Sequence, residues 1–343
     1  MNIHTIRHYA GGMRRSTDRR ASTPDRYREF AESEARGLSA CYEEWASGIA
    51  HDPAMVALID RLPAVKRQPN LVFSAARFCG ATAGPYVDFA RWLPAHWPEV
   101  EAVCRTHSTQ TNEAGRCATL LPALASLRGP LALIEVGASA GLCLHPDRYS
   151  YRYVTDDGHE RILHPATGPS PVLLDCAVSG PAPIPEQMPE VVWRAGIDLN
   201  PLDVNSASDM NWLEALIWPE HDDRRARLRA AIAVARQPAV EIVRGDLNEQ
   251  LAALVARAPE GATIVVFHTA VLLYLDGQAR GRLKNQLATL PVRWLANEGR
   301  GVVPGVLERL SATPTASSDF VLALDGTPIA FTQPHGRSLH WLG

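Results

Sequence analysis

The strand-forming run Leu131-Ala-Leu-Ile-Glu-Val136 passes directly into Gly137-Ala-Ser139-Ala-Gly141. A short apolar strand that ends in closely spaced glycines needs a tight turn, with backbone conformations that side chains resist. Such a turn brings main chain close to a ligand at the carboxyl edge of a parallel sheet. The same segment marks a change in the chain. Before it, from Tyr27 to about Leu127, apolar residues recur at helical spacing. After it, strands alternate with helices.

The helical part carries periodic segments at Tyr27–Ala35, Met55–Leu62, Leu71–Cys79, Val87–Leu93 and Pro98–His107, and Pro63 stops the second. Thr111 reads as the N-cap of a further helix with Glu113 in its first turn. In the second part, strands are expected at Val192–Ile197, Ala239–Arg244, Ala262–Phe267 and Val292–Ala296. Helices are expected at Asn211–Trp218, Asp223–Arg236, from Asp246 to about Ala258, and at Gly277–Leu290. Phe320–Leu324 and Ile329–Phe331 flank Asp325-Gly326, a hairpin turn. Tyr149–Val154 alternates in period two before Asp156-Asp157-Gly158, and seven prolines follow between Pro165 and Pro189. The stretch at about 149–191 therefore reads as an insertion, equally a lid, a substrate wall or decoration. The expected organisation is a basic, disordered or loosely attached tail at 1–26, an all-α region at 27–128 and an α/β domain at 129–343. That domain should hold a mainly parallel sheet covered on both faces.

A formal net charge of −3 argues against generic nucleic-acid binding. The six cysteines form no C-x-x-C pair and no cluster with histidine at zinc-ligand spacing, so neither a metal site nor a disulfide framework is expected. The arginine-rich N-terminus lacks the apolar core of a signal peptide. No apolar run approaches the roughly 18 residues of a membrane span. The chain reads as cytoplasmic, with a small molecule as its partner and its oligomeric state open.

The glycine-rich loop admits three readings. The dinucleotide pattern G-x-G-x-x-G requires glycine where Ser139 and Leu142 stand. The nucleophile-elbow pattern G-x-S-x-G is met, with Ser139 as nucleophile and Asp246 and His268 or His335 as partners, but strands and an oxyanion loop should precede it. Third, Glu135-Val-Gly137-Ala138-Ser139-Ala-Gly141 resembles the cofactor loop of class I S-adenosylmethionine-dependent methyltransferases, with serine replacing the middle glycine. Gly196-Ile-Asp198 is similar to that family's second-strand segment, where the acid accepts bonds from the ribose. Val243-Arg-Gly-Asp246-Leu247 is similar to the segment that meets the adenine. Val265–Tyr274 fits the strand that ends beside the substrate, and the final hairpin resembles the reversed last strand of that sheet. The resemblance implies a Rossmann-like fold and S-adenosylmethionine held by Glu135, Gly137, Ala138, Ser139, Gly141, Asp198, Asp246 and Leu247. From Tyr27 onward the chain also resembles a bacterial family of uncharacterised proteins with a helical N-terminal part. Arg67-Gln-Pro-Asn70, Gln110–Arg116, Glu135–Leu144 and Val265–Leu275 carry that resemblance.

For catalysis, His268 stands where a general base would act, with Tyr274 six residues on. Asn112, Glu113 and Arg116 are candidates to contact substrate or the methionine end of the cofactor, and Arg148 is placed to bind a carboxylate. The expected function is methyl transfer to an unidentified small molecule. A serine hydrolase using Ser139 and a non-catalytic ligand sensor are the alternatives.

Overall fold

The computed structural model describes residues 21–110, 112–237, 240–310 and 320–343. The basic tail expected at 1–26 therefore lies largely outside the described residues, as does the expected cap at Thr111. The chain divides into two compact units. One comprises 1–111 and 207–226, the other 112–206 and 227–343.

The first unit is helical. It holds α1 (Thr23–Glu29), α2 (Ala40–Ala50), α3 (Pro53–Ile59), α4 (Pro69–Phe78), α5 (Tyr86–Ala95) and α6 (Trp97–Thr106). Caps set several starts. Ser22, Ser39 and Asp52 side chains accept from backbone N–H groups of their first turns, and proline opens α3 and α4, where no N–H is needed. The helix expected at Tyr27–Ala35 is α-helical only to Glu29 and continues as a π-helical stretch, Phe30–Ala35. Phe73 is fully buried at the centre of an aromatic cluster. The rings of Tyr27, Phe30, Tyr42, Trp45 and Phe89 all lie with centroids 4.9–6.0 Å from it. Trp218 joins the cluster against Phe30 and Tyr42, which ties 207–226 to these helices.

The second unit begins with α7 (Cys117–Ala125) and β1 (Leu131–Val136). Then come β2 (Ser150–Thr155), β3 (Glu160–Leu163), β4 (Leu173–Ser179) and β5 (Val191–Asp198). Helices α8 (Ala207–Ala215) and α9 (Asp222–Ala235) follow, the first belonging wholly to the helical unit. The chain continues with β6 (Glu241–Arg244), α10 (Leu247–Val255), β7 (Thr263–Thr269), α11 (Gly277–Thr289) and β8 (Arg293–Gly299). It closes with β9 (Phe320–Leu324), β10 (Thr327–Thr332) and β11 (Ser338–Trp341). Among the described residues the strands form one sheet in the order β3-β2-β4-β11-β10-β9-β8-β7-β1-β5-β6.

The run β6-β5-β1-β7-β8 is parallel throughout. From β1 the chain moves outward to β5 and β6, then returns to the other side of β1 to lay down β7 and β8. The order thus reverses between β1 and β7, which is where open α/β sheets form a crevice at their carboxyl edge. Ile134 and Val136 pack in one cluster with Leu251 and Leu254 of α10 and Leu283 and Leu287 of α11. Glu135, between them, faces the opposite side by strand alternation.

Three features differ from the sequence expectation. First, α7 belongs with the sheet: eight of its nine residues are buried, and it packs on β4, β8 and β9. Second, the insertion is not a separate flap. The hairpin β2–β3 forms around Asp156-Asp157-Gly158, but β2 pairs with β4, and β4 pairs with β11. The insertion widens the main sheet because β4 alternates buried and exposed residues, with Leu174, Cys176 and Val178 inward. Third, β11 is an additional strand, which makes that junction possible.

Phe73→Ala should lower the unfolding free energy by about 3–5 kcal/mol, because it removes a ring at the centre of five others. Chemical denaturation of the full chain checks this.

Candidate functional site

The loop after β1 has a left-handed backbone at three alternate positions: Gly137 (φ 73°), Ser139 (φ 51°) and Gly141 (φ 72°). For serine this conformation costs on the order of 1 kcal/mol, so neighbouring bonds must impose it. Gly137 N–H and Ala138 N–H donate to Ile197 O at 2.8 and 3.1 Å. Ser139 N–H donates to Asp198 Oδ2 at 2.8 Å, and Asn200 N–H donates to Asp198 Oδ1 at 2.7 Å. Leu202 N–H returns to Ser139 O at 3.1 Å. Asn112 brackets the loop, donating from Nδ2 to Ala138 O at 3.2 Å and accepting Leu142 N–H at 3.0 Å. Two glycines make the close approach possible. A Cβ on Gly196 would stand 2.6 Å from Ala138 Cβ, and one on Gly137 would stand 2.4 Å from Val271 Cγ2.

No α-helix follows the loop. Two 3-10 turns, Leu142–Leu144 and Pro146–Arg148, occupy that place. Three buried tyrosines hold the segment from the side. Tyr149 and Tyr151 hydroxyls donate to Leu142 O and Pro146 O at 2.6 and 2.5 Å, and Tyr153 donates to Ala118 O of α7 at 2.8 Å. Their period-two spacing puts all three on one face of the β2 segment.

At the ends of β7 and β8 the bonding overturns the role expected for His268. This residue is fully buried. Its Nε2 accepts the Trp294 Nε1–H at 2.9 Å, and its Nδ1 lies 2.7 Å from Glu298 Oε1. Indole N–H only donates, so the proton sits on Nδ1 and points at Glu298. Both ring nitrogens are occupied, and His268 has no lone pair to offer a substrate. Glu298 Oε1 also accepts Val271 N–H at 2.9 Å and Leu272 N–H at 3.1 Å. These bonds hold a turn whose first residue, Ala270, is left-handed (φ 57°), and so seat Val271 over Gly137. Tyr274, at the end of this turn, is 69% exposed.

The remaining candidates separate. Arg116 is buried: Nε donates to Pro334 O at 2.9 Å, and Nη1 donates to Thr269 O and Oγ1 at 3.0 and 3.1 Å. Glu113 is itself the cap of the Ala114–Arg116 turn, accepting Gly115 N–H, and it pairs with Arg227 Nε at 3.0 Å. Arg148 donates to the backbone carbonyl of Gln237, so it is engaged structurally. Asp246 caps α10 by accepting Asn248 N–H at 2.8 Å, and Leu247 opens that helix. The structure thus gathers Asn112, Gly137, Ala138, Ser139, Gly141 and Asp198 into one bonded loop. Glu298 and Trp294 escape sequence reasoning. The one available signal is the polar pair Asn297-Glu298 closing an otherwise apolar strand.

Among the buried polar atoms of this unit without a protein partner, Glu135 Oε2, Ser139 Oγ, Arg116 Nη2 and Glu298 Oε2 belong to residues at or beside the carboxyl ends of β1, β7 and β8, while Asp147 Oδ1, Asn248 Oδ1 and Gln286 Oε1 lie elsewhere. Buried polar groups are rarely left unmatched, so this grouping marks the place where a ligand or water would bond. Burial pushes the Glu135 carboxyl well above its ordinary value, with Cys143 adding to the effect and Arg116 opposing it.

A family described as uncharacterised proteins conserved in bacteria (DUF2332) matches residues 24–341. The chain belongs to this family. No curated protein and no solved structure matches it. The DUF2332 match spans both compact units, so helices and sheet are parts of one family unit rather than a chance fusion.

Because Glu135 holds its proton more tightly folded than unfolded, the folded state binds more protons above pH 4.5. Its contribution to stability is therefore lost as pH rises, with a slope of about 1.4 kcal/mol per pH unit. Glu135→Gln should remove that loss and raise stability at neutral pH. Denaturant unfolding of both proteins at several pH values measures it.

Proposed function

We propose that the α/β unit binds S-adenosylmethionine and transfers its methyl group to a small molecule. The observation that carries this reading is the Asp198 carboxylate. It stands at the end of β5, beside the left-handed loop after β1, one strand away from the point where strand order reverses. Each of its oxygens takes one backbone N–H and keeps a lone pair for a further donor, which suits a ribose diol. The order β6-β5-β1-β7-β8 corresponds to strands 3-2-1-4-5 of a doubly wound nucleotide-binding sheet. The antiparallel β9 beside β8 fits the reversed late strand of the methyltransferase-like fold.

The loop residues fit the cofactor in one further respect. Ser139 adopts the left-handed conformation that the resembling family assigns to glycine, so the substitution keeps the backbone path. Gly137, Ala138 and Gly141 would lie along the cofactor, with Glu135 supporting them from the strand. When bound, S-adenosylmethionine supplies a methyl group activated by its sulfonium. The chain's own part is to hold two reactants in line and exclude water, and such positioning supplies most of the acceleration for this chemistry. The sequestering of His268 therefore does not count against transfer, but it favours, as the second reading, ligand binding without turnover. The hydrolase reading draws no support: among the described residues no imidazole bonds to Ser139 Oγ, and only 3-10 turns, not an α-helix, follow the loop.

Titration calorimetry with S-adenosylhomocysteine and S-adenosylmethionine tests the proposal. Micromolar binding is expected, weakened roughly tenfold or more in Asp198→Ala, with thermal unfolding reporting that the variant remains folded. No heat from folded wild-type protein at millimolar ligand would overturn the cofactor reading. Binding with no methyl transfer to any of a broad acceptor panel would select the sensor reading. Labelling of Ser139 by a fluorophosphonate would restore the hydrolase.

A further inference from the structure

The helical unit contains a cleft of about 650 Å³. The last turn of α4 gives it Arg77 and Phe78, one side of α8 gives it Ser208, Asn211 and Glu214, and Arg225 also lines it. All six residues belong to the helical unit. The volume falls within the roughly 300–1,000 Å³ of small-molecule sites. Ser208, Asn211 and Glu214 follow one another at every third residue, so a hydroxyl, an amide and a carboxylate wind along one side of α8. The Phe78 ring forms an apolar wall. It is held at 85° to the Trp212 ring with centroids 5.7 Å apart, and it leans on His107 at 5.8 Å.

Arg77 supplies the charge. Its Nη1 donates to Ala215 O at 3.1 Å, to Ile217 O, and to Tyr42 Oη at 3.4 Å. The two carbonyls lie where α8 ends, among groups that a helix terminus leaves without partners. These bonds fix the plane of the guanidinium. Among the described residues its Nε and Nη2 have no protein acceptor, yet neither is sealed from solvent. Nor does a described carboxylate pair with it. Glu214 lies 3.9 Å from Arg225 Nε instead, and Arg225 also pairs with Asp222.

The Nε and Nη2 hydrogens of a guanidinium point the same way and match the two oxygens of a carboxylate. Arg77 and Arg225 set against Glu214 leave the lining with one net positive charge, which one carboxylate balances. A phosphate dianion would bring a second negative charge up to Glu214 with no cation left to offset it. We propose that this cleft binds a small organic carboxylate that also carries hydroxyl or amino groups. The carboxylate lies on the Nε–Nη2 edge of Arg77, the other polar groups bond along Ser208, Asn211 and Glu214, and the carbon skeleton rests on Phe78. None of the six residues belongs to the sheet edge, so the proposal stands or falls apart from the cofactor reading.

The test is a thermal-unfolding screen of the full chain with carboxylates, each set against a counterpart that lacks the carboxylate: lactate with lactamide, serine with serinamide, and gluconate with sorbitol. At about 20 mM, at least one carboxylate should raise the melting temperature by about 2 °C or more, saturating with concentration, while its counterpart does not. Titration calorimetry then gives its affinity. Arg77→Lys keeps the charge but loses the fork, and should weaken binding at least tenfold. Because Arg77 also holds the end of α8, Asn211→Trp serves as a second variant. Asn211 is exposed, and an indole there fills the cleft without removing the Arg77 bonds. It should abolish the melting shift. A screen in which no carboxylate outdoes its counterpart would overturn the proposal, as would a shift that survives in Asn211→Trp. An equal shift with inorganic phosphate would overturn the assignment to a carboxylate.

Discussion

The site depends on the Asp198 carboxylate and the two backbone amides it accepts. Through Oδ2 it holds Ser139 N–H, and through Oδ1 it holds Asn200 N–H, so the loops after β1 and β5 share one anchor. Ser139 would not stay in the left-handed region unassisted, and this bond, with Leu202 N–H on Ser139 O, supplies the restraint. The path of the loop then follows. Gly137 must lack a side chain to pass under Val271, and Gly196 must lack one to pass Ala138.

A second anchor works from the other side of β1. Trp294 and Glu298 lie on β8 and hold the two nitrogens of His268 on β7. The same carboxylate oxygen ties down the turn that carries Val271 to Gly137. One acid on each flank of β1 therefore shapes the glycine loop, Asp198 by bonding it directly and Glu298 through the turn that packs on it. The tyrosines of the β2 segment do for the chain after the loop what a helix does in an ordinary βα unit. They accept the burden of satisfying carbonyl groups at Leu142 and Pro146 that lack helical partners.

Much of the sheet is legible in the chain because its signals are local. The strand β1 and its glycines, β5 ending at Asp198, β7, and the β9–β10 hairpin around Asp325-Gly326 each announce themselves within a dozen residues. The anchoring partner Asp198 is legible for the same reason, as an acid closing an apolar strand. His268 is misread by that logic. Its position at a strand end is real, but the partners that occupy its nitrogens lie 26 and 30 residues further on. The place of α7 is equally hidden, since its near-total burial is a property of the sheet it lies on rather than of its helical period.

What the sequence determines by itself is the succession of elements and the turn that follows β1, since periodicity, glycine and proline act through neighbouring residues. What only the tertiary structure decides is which side chains share an edge. The insertion becomes part of the main sheet because β4 finds β11, more than 150 residues away, and no local pattern encodes that pairing. Arg116 reaches Thr269 and Pro334 across 153 and 218 residues, and His268 is enclosed by Trp294 and Glu298 because β7 and β8 lie side by side. Such partners are set by strand adjacency and burial, which are created only when the chain folds.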